Sequence, residues 1–275
     1  MAQLVGGFLM PHDPLIAARF DAAPPAQSAV VSAAFATIAN RLRELDVDTV
    51  ITIGDDHYGM FSPSCIPQCF IAVGEVEGPI EPWLGIERMR IPNNEPLAMH
   101  ILTSGLADGV GWSFGKWTSV DHSTVLPYHL CYRNVPGIRT IPIYLNDGVP
   151  PCIPNRTAYA VGQSIARAVA SWSGSERVAV AGTGGCSHWV GSPEMGQVNE
   201  AFDRRLLAMV EAGDLEGIFA LSDEAVTADA GNGAMELKNW LCAMGALGST
   251  RAHLMAYEAI PAWISGIPFA ELLVA

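Results

Sequence analysis

The sequence predicts an α/β protein whose central sheet is covered by helices on both faces. Two observations carry this expectation. Stretches with helical periodicity alternate with short strand-like runs along the chain. Several of those runs, Val50–Ile53 and Val178–Ala181 among them, are largely apolar and lack the alternation of a sheet with one wet face, so both of their faces should be buried. With 275 residues, 50% of them hydrophobic, the chain can fill a substantial core, and we expect one domain over 1–275.

The elements follow in order. Leu4–Leu9 reads as a first strand. Val31, Phe35, Ile38, Leu42 and Leu45 form one apolar stripe, which predicts a helix over 30–45. Thr49–Ile53 is a strand ending at Gly54, and short strands are expected around 69–73 and 86–91. Residues 95–107 read as a helix. Ile138–Leu145 reads as a strand, with Pro142 placing it at an edge or a bulge. Asn155 is a candidate cap for a helix reaching Trp172. Arg177–Ala181 is the next strand. Helices are expected near 197–211, stopped by Gly213, then near 214–221 and over 234–247. A strand at 252–258 and a tail broken by Pro and Gly close the reading.

Bulk charge excludes several roles. A net charge of −13 does not suit nucleic acid or an anionic membrane surface. No run reaches the roughly 18 apolar residues of a membrane span, and the first ten residues lack the basic start of a secretory signal. The six cysteines, at 65, 69, 131, 152, 186 and 242, do not form a disulfide pattern in a chain of this size, and Cys65 and Cys69 lack the second half of a zinc site. Buried reduced thiols and a cytoplasmic location are expected.

The chemistry gathers where strands end. Leu4–Leu9 leads to His12, Val50–Ile53 to His57, and Val178–Ala181 to His188. Ligands of open α/β sheets bind outside the carboxyl ends of strands, so three histidines remote in sequence can meet in one pocket. His122 sits in a similar loop setting without as clear a strand before it. His100 and His253 read as structural, and His129 is left open. Glu236, opening a helix after Ala230-Gly-Asn-Gly-Ala234, is the carboxylate candidate, although a first helical turn favours a carboxylate for its dipole alone. Two imidazoles and a carboxylate suit a non-haem Fe(II) centre with open positions. They suit catalytic zinc equally, so ligand type leaves oxygenase and hydrolase open. Gly182-Thr-Gly-Gly185 lacks the ending of a phosphate loop, no Gly-x-Ser-x-Gly elbow is present, and Cys186 has no partner that would make it a nucleophile.

These residues resemble a known family. From Gly6-Gly-Phe-Leu-Met-Pro-His12-Asp-Pro14 to Tyr257-Glu-Ala-Ile-Pro-Ala-Trp-Ile-Ser-Gly266, the chain is similar to the class III extradiol ring-cleavage dioxygenases, in particular the protocatechuate 4,5-dioxygenase β subunit and the gallate dioxygenases. Four segments carry the likeness: His12 with Gly54-Asp-Asp-His57, Val120-Asp-His122-Ser, Ala181-Gly-Thr-Gly-Gly-Cys-Ser-His188, and Ala230-Gly-Asn-Gly-Ala-Met-Glu236-Leu-Lys-Asn-Trp240. The resemblance implies a mixed sheet in a three-layer α/β/α fold. It implies Fe(II) held by His12, His57 and Glu236, with His188 as catalytic base and His122 as a hydrogen-bond donor to substrate or oxygen. The reaction implied is cleavage by O₂ of a protocatechuate- or gallate-like catechol ring beside its diol. It also implies either a small α subunit closing the site or a homo-oligomer. A 2-aminophenol substrate, a zinc hydrolase on the same ligands and a metal-free binding protein are the alternatives. Lys238 and Arg133 are candidates to meet a substrate carboxylate, against a plainer reading as solvated surface charges.

Overall fold

Strand-forming runs with apolar residues on both faces fold here into the middle of one sheet. The computed structural model describes residues 1–248 and 251–274. In chain order the elements are β1 (Gln3–Met10), α1 (Leu15–Ala18), α2 (Pro25–Glu44), β2 (Thr49–Gly54), β3 (Cys69–Gly78), β4 (Met89–Ile91), α3 (Glu95–Ala107), β5 (Trp112–Ser119), α4 (His122–Leu130), β6 (Arg139–Leu145), α5 (Asn155–Ser171), β7 (Arg177–Thr183), α6 (Glu200–Ala212), α7 (Leu215–Phe219), α8 (Asp223–Ala230), α9 (Leu237–Leu247), β8 (Ala252–Ile260) and β9 (Ser265–Leu272). The sheet runs β4-β3-β6-β2-β7-β1-β9-β8, with β5 on β3. Strands β6, β2, β7 and β1 are parallel, while β3 joins β6, and β9 joins β1, in antiparallel fashion. The sheet is thus mixed.

Successive side chains of a strand point to opposite faces, and the central strands feed two cores. Leu9, Ile51, Ile53, Val178 and Val180 pack with apolar residues of α3, α5, α6 and α9. Phe8, Met10, Val50, Ala179 and Ala181 pack with Val31, Phe35, Ile38 and Leu42 of α2. Helices on both faces complete three layers, as expected. Among the described residues no helix is long and apolar enough to cross a membrane.

Four local expectations are corrected. Pro142 lies on an interior strand: β6 pairs with β2 throughout, but its ladder with β3 begins only at Ile143, and the Asn93 side-chain amide serves the β3 carbonyls of Ala72 (3.0 Å) and Gly74 (2.8 Å) instead. Asn155 does not cap α5. Its side chain donates to the carbonyls of Ile218 and Leu221, tying α7 to α5. The Pro- and Gly-containing tail is strand β9, held between β1 and β8. Finally, His122 begins helix α4 rather than lying in a loop, with Asp121 accepting from Ser123 N as its cap.

The consequence for function is positional. The parallel strands β1, β2 and β7 all end on one side of the sheet, at Met10, Gly54 and Thr183. The segments that follow them carry His12, His57 and His188.

Candidate metal centre

Three of the four candidate histidines arrive from strand ends, and α4 presents the fourth. His12 and His57 rings lie 5.1 Å apart, His57 and His122 4.0 Å, and His12 and His122 5.7 Å. Glu236 reaches the same space from the turn before α9. Its Oε1 lies 3.2 Å from His12 Nε2, 3.4 Å from His188 Nε2 and 3.8 Å from His57 Nε2. Every candidate ligand and catalytic residue read from the sequence is therefore in one cluster.

The outer hydrogen bonds fix how each ring points. Thr183 Oγ1 donates to the Ile53 carbonyl, so it meets His12 Nδ1, 2.9 Å away, as an acceptor. His57 Nδ1 faces Asp121 Oδ2 at 3.0 Å, His122 Nδ1 faces Glu81 Oε1 at 2.6 Å, and His188 Nδ1 faces the Cys186 carbonyl at 2.9 Å. Each of these oxygens accepts only, so each Nδ1 carries the proton. In the neutral rings, every Nε2 then turns a lone pair away from these partners, and those of His12, His57 and His188 face Glu236. Outer-sphere bonds of this kind set the tautomer and orientation of metal-binding histidines.

The glycines beside the cluster allow close approach. A Cβ on Gly233 would lie 1.9 Å from His188 Nε2, and one on Gly184, at φ +142°, would lie 2.5 Å from Glu236 Cβ. Side chains there would displace the two residues. Gly185 N also donates to Glu236 Oε2 at 2.5 Å, which aims Oε1 at the histidines.

Charge balance follows from this crowding. Burial opposes ionisation of Glu236, but His12 and His188 outweigh it and hold the carboxyl well below its usual range. Burial likewise opposes the imidazolium of His188, yet Glu236 raises its pKa to about 9. His12 and His57 are raised against burial, by Glu236 and Asp55 respectively. His122 behaves oppositely: burial, with His57 beside it, lowers it to about 4. Burial also lifts Asp13 to about 7 and Asp56 to about 6.

Ligand atoms of His12, Asp55, His57 and Glu236 lie within 4.8 Å of one another, and so do those of His12, His57 and His122. Two donors at right angles on one ion, each about 2.1 Å from it, would stand about 3 Å apart, close to the spacing of His12 and Glu236. The donor set and its inward lone pairs therefore fit a divalent metal. Asp55 is a contributor that the sequence reading did not single out. It is steered by Asn239 Nδ2, which donates to Asp55 Oδ1 (3.1 Å) and to Asp147 Oδ2 (3.3 Å). Glu81, Asp121 and Thr183 were also missed as supports. Only Asp121, ahead of His122-Ser-Thr124, had a local signal, that of a helix cap.

A cavity of about 260 Å³ opens onto His12, His57, His122, His188 and Glu236. A larger apolar cavity of about 630 Å³, between β3 and α5, contains none of the histidines. Lys238 and Arg133 do not line the metal-side cavity. Arg133 is exposed, as the plainer reading held, but Lys238 is fully buried, where it donates to Asp223 and Asn155. Cys186 is buried, and burial drives its thiol pKa far up, which leaves it inert. Cys65 departs from the expected burial, being exposed.

A three-layer α/β fold with imidazole and carboxylate donors at the ends of its parallel strands defines a metal-dependent enzyme class. Comparison narrows the class to a family. The model of the family described as the catalytic LigB subunit of aromatic ring-opening dioxygenase matches residues 6–268, and the chain belongs to that family, the class III extradiol dioxygenases. It is an oxidoreductase that opens dihydroxyphenyl rings with O₂. Among curated relatives, a 2,3-dihydroxyphenylpropionate/2,3-dihydroxicinnamic acid 1,2-dioxygenase of Burkholderia vietnamiensis is 28% identical, the match covering 94% of this chain and 93% of the relative. A protein of the same name from Rhodococcus jostii is 25% identical over 94% of each chain. The solved structure of an uncharacterized protein from Escherichia coli K12 aligns with a TM-score of 0.58 at 12% identity, covering 98% of this chain and all of the other, and shows the same fold.

Proposed function

We propose that residues 1–275 form a single catalytic domain that binds Fe(II) through His12, His57 and Glu236 and cleaves a catechol ring beside its diol. The observation that carries this reading is the convergence of the Nε2 atoms of His12, His57 and His188 on Glu236 Oε1, each ring held by an outer Nδ1 bond. When bound, Fe(II) would supply Lewis acidity toward the diol and O₂. His12, His57 and Glu236, as two neutral imidazoles and one carboxylate, would bring a single negative charge to the ion and so preserve its Lewis acidity.

His188 is the proposed base. Its raised pKa would keep it protonated at neutrality, but the cause is the charge of Glu236. A bound divalent cation would offset that attraction, leaving burial to favour a neutral His188 against the weaker pull of the Cys186 carbonyl and Asp13, and a neutral ring is the acceptor that a diol proton needs. Its Nδ1–H bond to the Cys186 carbonyl leaves Nε2 to take the proton. His122, neutral because of burial and set by Glu81, is positioned on the wall of the same cavity to bond substrate or oxygen. Exposed Tyr58, Trp83 and Val190 at the cavity rim support closure by a second subunit, either a small α subunit or another copy of this chain.

The test is oxygen uptake by anaerobically purified, Fe(II)-loaded protein with protocatechuate, gallate, 3-O-methylgallate, 2,3-dihydroxyphenylpropionate, catechol and 2-aminophenol. Uptake with a new visible absorbance from a ring-opened product supports the reading. Tightly bound zinc with hydrolytic turnover and no oxygen uptake would replace it.

A further inference from the structure

The cavity beside the metal residues has a lopsided lining. Its polar part is made by the histidines, Glu236 and Ser265. The remaining lining comes chiefly from Pro14, Tyr58, Trp83, Val190 and Ile264, and its one other carboxyl group among the described residues is that of Asp13. Among the described residues, no lysine or arginine lines the cavity. Arg19, whose carbonyl accepts from the Trp263 indole beside Ile264, is exposed and takes no part in the lining. A ring substituent ending in a carboxylate would give up part of its hydration against these apolar side chains with no lysine or arginine to meet it, which is disfavoured. An apolar substituent would lose only water.

Ile264 adds a second, independent observation. It sits at φ +58°, ψ 11°, the left-handed region, at the turn between β8 and β9. A branched side chain is costly there, whereas glycine or asparagine is accommodated. The backbone conformation is held by the Ile264 N–H donating to the Pro261 carbonyl at 3.0 Å. The chain thus places an apolar branched residue against the cavity at a position where the backbone itself favours a small or polar one.

We propose that this site selects catechols whose ring substituent is uncharged and apolar, with Trp83, Val190 and Ile264 contacting that substituent. This rests on the ring-cleaving reading of the same site, and it departs from the carboxylated substrates in the names of the curated relatives. It makes these three side chains specificity determinants of the cavity wall, while the diol end is handled by the metal residues.

The experiment uses substrate pairs that differ in charge at one ring position: 4-methylcatechol against protocatechuate, and 3-propylcatechol against 2,3-dihydroxyphenylpropionate. With the Fe(II)-loaded protein, kcat/KM from oxygen uptake should favour the uncharged member by about tenfold or more in whichever pair is turned over. Val190→Arg, at a half-exposed position that tolerates a charge, should narrow or invert the preference. Ile264→Asn should do so more weakly, while holding or raising Tm because it suits the left-handed backbone. Arg19→Ala should leave the ratio unchanged. Equal or inverted preference in the unaltered protein overturns the proposal, as does an Arg19→Ala variant that selectively loses the carboxylated substrate. If no catechol is oxidised, the ring-cleaving reading fails by itself. Calorimetric binding of the same pairs under anaerobic conditions then decides selectivity separately, tighter binding of the uncharged member supporting it and equal or weaker binding refuting it.

Discussion

Glu236 and Lys238 stand two residues apart, and both bury a charge, yet the fold treats them in opposite ways. Lys238 Nζ is matched by acceptors, Asp223 Oδ1 at 2.6 Å and Asn155 Oδ1 at 3.0 Å, so donors meet acceptors at hydrogen-bond distance. Glu236 Oε1 instead faces three imidazole nitrogens at 3.2–3.8 Å whose protons are committed to the other side of each ring. Acceptor faces acceptor. A buried group of lone pairs is stable only if protons or a cation enter it, and the carboxylates raise the pKa values of His12, His57 and His188 in the direction that this demands. The difference separates a charge that ties helices together from one that waits for a ligand.

The largest effect should come from removing the carboxylate. Glu236→Ala is expected to abolish stoichiometric Fe(II) binding, measured by metal analysis after desalting, and to bring oxygen uptake to background. Retention of full iron occupancy would show that Asp55 or His122 completes the ligand set in its place. His188→Ala should keep iron bound while lowering kcat by roughly 10²–10⁴-fold, the range for a lost general base. A variant of ordinary rate would remove His188 from proton transfer.

Acidity should act on the same cluster. Glu236 and Asp55 raise the pKa values of His12 and His57 without metal, and an imidazole must be neutral to bind an ion. Metal binding near neutral pH therefore displaces protons. Apparent affinity should climb as pH rises past 6.5, by up to about tenfold per pH unit for each displaced proton, and level off above the raised pKa values. Glu236, already ionised, contributes nothing to this slope. Proton release on adding Fe(II) in weak anaerobic buffer measures it, and an affinity that is flat with pH would contradict the charge balance.

What the sequence made legible follows the same division between local and convergent signals. His12, His57 and His188 could be read because each follows an apolar strand, and strand ends are where α/β sites form. Glu236 was visible only through family resemblance, since a carboxylate in a first helical turn has an ordinary explanation. Asp55 and Asn239 lie within the segments that carry the resemblance but drew no role, and Glu81 gave no signal, because what they do depends on segments that meet only in the folded chain. β5 was missed because Ser113, Lys116 and Ser119 dilute its apolar pattern at the sheet edge. β9 was missed because Gly266 and Pro268 read as breakers although the strand is held between β1 and β8. Lys238 misled for a related reason: a lysine is ordinarily solvated, and its acceptors come from α5 and the start of α8, remote in sequence.

That lysine supplies the smallest and most discriminating test. Lys238→Met keeps the bulk of the side chain and removes the charge. Asp223 is half exposed and can be rehydrated, so it is not left as a buried ion, but Asn155 Oδ1 loses its donor. A cost of about 1–3 kcal/mol in unfolding free energy is expected, the range for one buried acceptor left unpaired. Metal content and kcat should be unchanged, because among the described residues the Lys238 side chain bonds to Asn155 and Asp223 and to no member of the histidine cluster. Chemical denaturation and iron analysis on the same preparation read both quantities. Stability lost with iron retained keeps the two charges of this turn independent. Loss of iron at intact stability would mean that Lys238 orients Glu236, and the contrast between a tying charge and a waiting one would collapse into a single network.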